Sequence, residues 1–164
     1  MADNKKIKVE MEKGGEFTIE LMPEYAPETA DNFERLAAEG FYDGLIFHRV
    51  IDDFMAQGGD PTGTGMGGSD KKIKGEFAKN GFPQNTLSHT RGVVSMARSM
   101  DPNSASSQFF ICYGDCSFLD GEYAAFGKVC EGMETVDEFL KTERRGPEGG
   151  TPVEEIRIKK MTVL

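Results

Sequence analysis

Alternating apolar and polar positions at the start of the chain predict a β-hairpin. Every second residue is apolar in IKVEM (residues 7–11), and the alternation returns in FTIEL (residues 17–21) after the glycine pair at 14–15. A period of two places such residues on one face of a strand, and adjacent glycines permit a tight reversal. Further strands are predicted where apolar runs recur, in LIFHRVI (45–51), FMAQ (54–57), VVSMA (93–97), SQFFICY (107–113), YAAFGKV (123–129) and EEIRIKKMTVL (154–164).

Two segments show the helical period instead. The first begins at Pro27 and ends before Gly40, and its apolar face consists of Ala30, Phe33, Leu36 and Ala37. Proline favours the first turn of a helix and glycine its end. A second, shorter helix follows Gly132, with Met133, Val136 and Leu140 on one side. The pattern predicts a mainly β fold, a barrel with two helices over its open ends, in which the first and last strands pair and so remove exposed edges.

Composition narrows the class of protein. The 164 residues suit a single domain spanning 1–164, and 38% apolar residues exclude a disordered chain. The net charge of −9 argues against a general nucleic-acid binder or an anionic membrane surface as partner. MADNKKIKVE (1–10) has no apolar signal region, and nowhere do ~18 apolar residues run together. We therefore expect a cytoplasmic protein that does not insert in membranes.

The cysteines fit that compartment. Cys112, Cys116 and Cys130 are an odd number for a disulfide framework, so we expect free thiols. Cys112 and Cys116 have no second pair of ligands nearby in sequence, as a zinc site would require. No motif for a cofactor is present either, and we predict neither metal nor cofactor.

The most informative single residue is Arg49, which lies inside the predicted strand 45–51. Strand alternation places it on one face with Phe47 and Ile51, and His48 on the other face. An arginine among apolar neighbours needs a partner. A structural ion pair and a functional group are both open interpretations.

Two glutamines make a functional interpretation more specific. Alternation places Gln57 beside Met55 and Gln108 beside Phe110. A groove with these groups and Arg49 could hydrogen-bond an extended peptide and bury one compact apolar ring. Equally, the apolar pair could belong to the core and the amides could satisfy backbone groups. The hydroxyl-rich segment 104–107 raises a hydrolase as a further possibility, but no G-x-S-x-G elbow accompanies it.

Three long blocks resemble the signature segments of the cyclophilins, which are peptidyl-prolyl cis-trans isomerases. They are FHRVIDDFMAQGGDPTGTG (47–65), SMARSMDPNSASSQFFI (95–111) and FLDGEYAAFGKVCEGME (118–134). The resemblance runs from the first hairpin to the last strand, and the short loops resemble the single-domain bacterial branch. It implies a closed eight-stranded antiparallel β-barrel capped by two α-helices.

The resemblance also implies roles for individual residues. Arg49 matches the catalytic arginine, and Gln57 matches the residue that holds substrate and orients the arginine. The matching substrate-binding positions are His48, Phe54, Met55, Ala97, Arg98, Gln108, Phe110, Phe118, Leu119 and Tyr123. Phe118 stands where many members carry tryptophan, and Tyr123 where many carry histidine.

The implied activity is rotation about X–Pro bonds, assisting protein folding. Because no bond breaks in that reaction, it needs no nucleophile, metal or cofactor. The implied partners are proline-containing peptides and unfolded or partly folded proteins, with weak binding of cyclosporin, and a monomer is expected. A proline-peptide binding module or chaperone with little turnover is the alternative, since some members lack catalytic residues.

Overall fold

In the computed structural model, which describes residues 4–164, ten strands and two α-helices form the fold. The strands are β1 (Lys6–Met11), β2 (Glu16–Leu21), β3 (Phe47–Ile51), β4 (Met55–Gly58), β5 (Val93–Met96), β6 (Phe109–Cys112), β7 (Ala125–Glu131), β8 (Arg144–Arg145), β9 (Thr151–Pro152) and β10 (Ile158–Val163). The helices are α1 (Pro27–Ala38) and α2 (Met133–Glu138). Short 3-10 helices cover Ala78–Asn80, Ser117–Leu119 and Phe139–Lys141.

Eight of the strands form one antiparallel sheet in the order β10-β1-β2-β7-β5-β6-β4-β3. The predicted pairing of the first and last strands is present, because Ile7 lies opposite Val163 in the β1–β10 ladder. That pairing does not close the sheet, however. The two edge strands are β10 and β3, and a single isolated bridge between Ile46 and Arg157 joins them. The sheet is therefore curled rather than the fully closed barrel that was predicted.

Helix α1 follows the predicted pattern and covers the interior core. Its apolar face is buried, with Phe33 fully enclosed, and it packs against β7 and β10. The side chain of its N-cap residue makes no capping bond, but the buried Glu76 carboxylate accepts from the amide of Thr29 at 2.7 Å and from that of Glu28 at 3.2 Å. Gly40 ends the segment with φ of 78°. The Glu76 carboxylate, at the N-terminal end of the helix, also suits the helix dipole.

One predicted side-chain direction is wrong. Alternation placed Phe47 and Arg49 on the same face of β3, but Phe47 is fully buried in the interior core. The register between β3 and β4 shifts between these two residues, as at a β-bulge. An extra residue inverts the alternation on one side of it. Arg49 thus faces away from the core, and Val50 faces it.

The strands next to this irregularity carry two separate apolar clusters, one on each face of the sheet. Ala56, Phe109 and Ile111 belong to the interior core. Their neighbours Met55 and Phe110 belong to an outer cluster. The outer cluster consists of Met55, Phe110, Cys112 and Cys116, with Ile51, Phe54, Ala97, Leu119 and Tyr123 packed against it. Among residues 4–164, no helix combines the length and apolar character that crossing a bilayer requires.

Candidate functional site

A row of cross-strand neighbours organises the outer face of the sheet. Arg49 on β3 pairs with Gln57 on β4, and Gln57 pairs with Phe110 on β6. The row continues to Ser95 on β5, which pairs with Phe110. Residues directly opposite each other project from the same face. The sheet register therefore brings together groups that lie 61 positions apart in sequence, from Arg49 to Phe110.

Hydrogen bonds connect Arg49 and Gln57 of this row to Gln108. The Arg49 Nη1 donates to Gln57 Oε1 at 3.2 Å, and Gln57 Nε2 donates to Gln108 Oε1 at 2.9 Å. Gln108 Nε2 in turn donates to the carbonyls of Gly65 and Gly67, at 2.9 and 2.8 Å. Each amide accepts on its oxygen and donates from its nitrogen, so the chain of bonds has a single direction. It ends on backbone, which fixes the orientation of both glutamines.

Beside this chain lies a cavity of about 190 Å³, which we call the site cavity. Phe54, Met55, Phe110 and Leu119 supply apolar walls, and Arg49 and Gln57 supply polar ones. Its lining consists of Arg49, Phe54, Met55, Gln57, Ala97, Arg98, Phe110, Leu119 and Tyr123. The structure thus brings nine of the residues selected from the sequence to one cavity. An apolar pocket with a few polar groups is suited to a small ring with one hydrogen-bonding partner.

Arg98 and Tyr123 form the opposite rim. The Arg98 guanidinium lies 4.6 Å from the centroid of the Tyr123 ring and 4.9 Å from that of Phe77. Its Nη2 donates to the carbonyl of Glu122 at 2.6 Å, and its Nη1 donates to that of Ser99 at 3.0 Å. Cation–π contacts on two rings hold the group in place. Arg98 therefore shapes the rim as a fixed group.

Three predicted residues lie outside the site cavity. Gln108 stands behind Gln57, as described, and lines an adjoining cleft with Ser99. Phe118 is 65% exposed and contacts Phe54, with the ring centroids 5.7 Å apart. His48 lines a different cavity, on the side of Arg49 that faces the segment 147–151.

The state of His48 follows from its surroundings. Burial lowers the pKa of its imidazole, Asp60 opposes that shift, and Arg49 adds to it. Because the ordinary value is already near 6.5, the ring is neutral at pH 7. A neutral His48 adds no second positive charge beside Arg49.

The structure adds Glu148 to these residues. Its carboxylate accepts from Arg49 Nη2 at 2.6 Å and from Arg49 Nε at 3.2 Å. Glu148 lies 99 residues from Arg49, in the turn between β8 and β9. No periodic pattern surrounds it in RRGPEGGTP (144–152), so the sequence carries no signal for this contact.

A Ser–His–Asp array, in which Ser95 and His89 are buried and Asp120 is exposed, lies beneath Phe110. His89 Nδ1 is 2.9 Å from Asp120 Oδ1, and its Nε2 is 2.9 Å from Ser95 Oγ. Ser95 is completely buried, so no substrate can reach its hydroxyl. The array instead supports the site cavity, since the His89 ring stacks on that of Phe110 with an interplanar angle of 17°. The hydroxyl-rich segment 104–107 has no part in it.

All three thiols are free, and two of them lie in the outer cluster. Cys112 and Cys116 are buried, whereas Cys130 is exposed. Burial raises the pKa of each thiol, so the nucleophilic thiolate is disfavoured. Within residues 4–164, no three His, Cys, Asp or Glu side chains are grouped as metal ligands.

Comparison with known proteins gives the same identification at three levels. The family model described as "Cyclophilin type peptidyl-prolyl cis-trans isomerase/CLD" matches residues 6–163. The rat protein named peptidyl-prolyl cis-trans isomerase-like 3 is 43% identical over 149 residues, which are 91% of this chain and 90% of the relative.

Solved structures agree with the sequence relatives. The crystal structure of a Cryptosporidium parvum cyclophilin type peptidyl-prolyl cis-trans isomerase superimposes with a TM-score of 0.86 at 34% identity, covering 98% of each chain. A structure of the same protein in the presence of the dipeptide Ala-Pro gives 0.85 at 35% identity, covering 97% of this chain and 98% of that one. With the cross-strand row, the site cavity and the matched length considered together, this chain belongs to the cyclophilin family of peptidyl-prolyl cis-trans isomerases.

Proposed function

We propose that this chain accelerates rotation about X–Pro bonds with the proline ring in the site cavity and Arg49 as the catalytic donor. The observation that carries the proposal is the position of the Arg49 guanidinium. It lines an otherwise largely apolar cavity and is held there by Gln57 and Glu148. A hydrogen-bond donor at an apolar ring pocket is what the reaction needs.

The barrier to rotation explains why. The C–N bond resists twisting by ~18–20 kcal/mol, because the nitrogen lone pair is delocalised into the carbonyl. When the bond is twisted, that lone pair localises on nitrogen and becomes a hydrogen-bond acceptor. A donor at this nitrogen binds the twisted state more strongly than either planar isomer. Catalysis follows from that difference in binding.

The contribution of Arg49 to the rate can be estimated from the free energy of one hydrogen bond. A charge-assisted hydrogen bond contributes about 1.5–3 kcal/mol net. This corresponds to about 10- to 150-fold in rate. The apolar walls formed by Phe54, Met55, Phe110 and Leu119 exclude water and hold the ring while the preceding carbonyl turns. Such an environment strengthens the bond from Arg49.

The test measures turnover of an X–Pro peptide. Two-dimensional exchange NMR monitors the cis–trans exchange directly and needs no coupled protease. We expect Arg49→Ala to retain the fold and lose most of kcat, because its bond forms in the transition state. Arg49→Lys is expected to be poor as well, since an ammonium lacks the planar fork that binds Gln57 and Glu148 together.

The same experiment separates the alternative function. A binding module would retain peptide affinity in the wild-type chain but show no exchange above the uncatalysed rate. Melting temperatures of the variants control for misfolding. Near wild-type turnover in a folded Arg49→Ala chain would exclude Arg49 as the catalytic donor.

Several finer proposals accompany this function. The partners are proline-containing peptides and partly folded proteins, and the Ala-Pro structure of the Cryptosporidium relative supports a proline ligand. We also propose a cytoplasmic protein, for which the three free thiols are the support, and a monomer, for which the hydrogen bonds between the two edge strands of the sheet are the support. Membership of the bacterial branch stays a prediction from the short loops, and the relatives described above are eukaryotic.

A further inference from the structure

Glu148 occupies one complete edge of the Arg49 guanidinium. Its two carboxylate oxygens accept from Nη2 at 2.6 Å and from Nε at 3.2 Å. Two parallel bonds of this kind fix the plane of a guanidinium as well as its position. On the other side, Gln57 accepts one bond from Nη1. Arg49 has five N–H groups, so one N–H on each of Nη1 and Nη2 stays available.

The hairpin that carries Glu148 is docked firmly on β3. The amide of Val50 donates to the carbonyl of Gly150 at 2.8 Å, and Arg144 Nη1 donates to the carbonyl of Val50 at 3.0 Å. Gly150 lies so close to β3 that a Cβ there would clash with Ile51 Cδ1. Both hydrogen bonds are to Val50, the residue that follows Arg49 in the chain. The hairpin is therefore held at a set distance from the arginine.

The turn itself directs Glu148 toward Arg49. Gly146 and Gly149 adopt φ of 92° and 68°, in the left-handed region that glycine favours. Pro147 stands between Gly146 and Glu148 and restricts the backbone there. A rigid turn reduces the conformational freedom that an exposed ion pair loses on forming. That loss is what usually makes such pairs weak.

We propose that Glu148 is a positioning residue for the isomerase reaction, holding the Arg49 guanidinium so that its free N–H groups face the site cavity. This inference rests on the proposed function, because it assigns Glu148 a part in the same step. Glu148 acts through Arg49 and does not line the site cavity. Loss of Glu148 should therefore change kcat more than KM, because kcat depends on the orientation of the donor.

The test compares three single variants with the wild-type chain. Glu148→Ala removes both bonds, and Glu148→Gln keeps one acceptor but loses the two-bond geometry. Glu143→Gln is the matched control. Glu143 is an exposed acid near the same hairpin, and its carboxylate pairs with Arg145. The control removes the same unit of charge while leaving Arg49 untouched.

Three measurements are made on each chain. Exchange NMR gives kcat and KM for an X–Pro peptide, the Nε–H resonance of Arg49 reports its bond to a carboxylate, and thermal melting reports the fold. We expect kcat to fall about 5-fold in Glu148→Ala and by less in Glu148→Gln, with KM within about 2-fold. The Arg49 resonance should shift in both variants, and Glu143→Gln should match the wild-type chain.

The outcomes distinguish this inference from the proposed function. If the wild-type chain does not catalyse exchange, the proposed function fails, and the positioning role fails with it. If the wild-type chain is active and Glu148→Ala has an unchanged or higher kcat, only the positioning role is overturned. A higher kcat would show that the carboxylate competes with substrate for Arg49. An equal fall in kcat for Glu143→Gln would assign the effect to net charge and also overturn the role.

Discussion

Phe118 lies outside the site cavity, against its wall residue Phe54, and its side chain cannot donate a hydrogen bond. It is 65% exposed, and it rests on Phe54. The cyclophilins that it resembles often carry tryptophan here, whose indole N–H is a donor to cyclosporin. Phenylalanine retains the apolar face but leaves the drug acceptor without that partner. We therefore propose that this chain binds cyclosporin weakly while it isomerises X–Pro peptides normally.

Phe118→Trp is expected to strengthen cyclosporin binding. A neutral hydrogen bond contributes ~0.5–1.5 kcal/mol, which is a gain of about 2- to 13-fold in affinity. Calorimetry measures the affinity, and turnover of an X–Pro peptide, measured in parallel, should stay near that of the wild-type chain. Unchanged or weaker cyclosporin binding in the variant would contradict the donor argument.

The three cysteines are expected to have no role in turnover. Burial keeps Cys112 and Cys116 protonated. Cys130 is exposed near the end of β7 and does not line the site cavity. Replacing the first two with alanine and Cys130 with serine should cost about 1 kcal/mol of stability per buried thiol. Turnover per folded molecule should be retained. Activity of the wild-type chain that depended on added zinc or on mild oxidant would contradict this expectation.

At the scale of elements, the glycine-rich loop after β4 is held by one buried carboxylate. Asp60 accepts from the amides of Thr62, Gly65 and Gly67, at 2.8, 2.7 and 3.1 Å. Burial alone raises the pKa of Asp60, but these bonds lower it well below its usual value. The loop in turn supplies the two carbonyls that bind Gln108. Asp60 is therefore connected to the site through the loop.

Asp60→Asn should destabilise the fold by about 2 kcal/mol at pH 7, because an amide cannot accept all these bonds. A depressed folded-state pKa contributes stability above the unfolded value of about 3.9, and that stability is lost as pH falls below it. The difference in unfolding free energy between wild type and variant should therefore shrink between about pH 7 and pH 3. Chemical denaturation at both values measures it, with Asp70→Asn in the exposed part of the segment as control. A difference independent of pH would contradict this account.

Regular elements were predicted well from periodicity, because burial on one face dictates which residues are apolar. The hairpin of β1 and β2, helix α1 and the faces of Met55 and Phe110 follow directly from that rule. The direction of Phe47 was predicted wrongly because a β-bulge depends on pairing with β4, which one strand's sequence does not reveal. The β8–β9 hairpin was missed because two-residue strands are too short to show a period.

The site was predicted in part for a related reason. Residues within regular strands, such as Arg49 and Gln57, stand out because they interrupt an apolar pattern. The resemblance to a family then added the rim residues. Glu148 interrupts nothing in its glycine-rich turn, and only the docking of that turn on β3 brings it to the arginine. A single sequence does not show which distant loops pack against each other.

At the scale of the whole molecule, the two edges of the curled sheet are joined by backbone hydrogen bonds. The amide of Phe47 donates to the carbonyl of Ile156 at 2.9 Å, and that of Ile158 donates to Leu45 at 2.8 Å. Arg157 Nη1 also donates to the carbonyl of Gly44 across the same seam. An unpaired strand edge invites a second copy to add to the sheet. Here part of those backbone groups, including the amides of Phe47 and Ile158, is already bonded across the seam.

We therefore expect a monomer, so that the molecular mass measured in solution does not change with protein concentration. Beyond the paired seam, the net charge of −9 makes two copies repel each other, most strongly at low salt. Sedimentation velocity between about 10 μM and 500 μM, at low and high ionic strength, should give the 18.0 kDa of one chain throughout. Hydrogen exchange supplies the second reading, because the amides of Phe47 and Ile158 should be as protected as those inside β1. A dimer that forms at high concentration, together with fast exchange of these two amides in the dilute protein, would show that the seam is open and that the edge strands pair between copies.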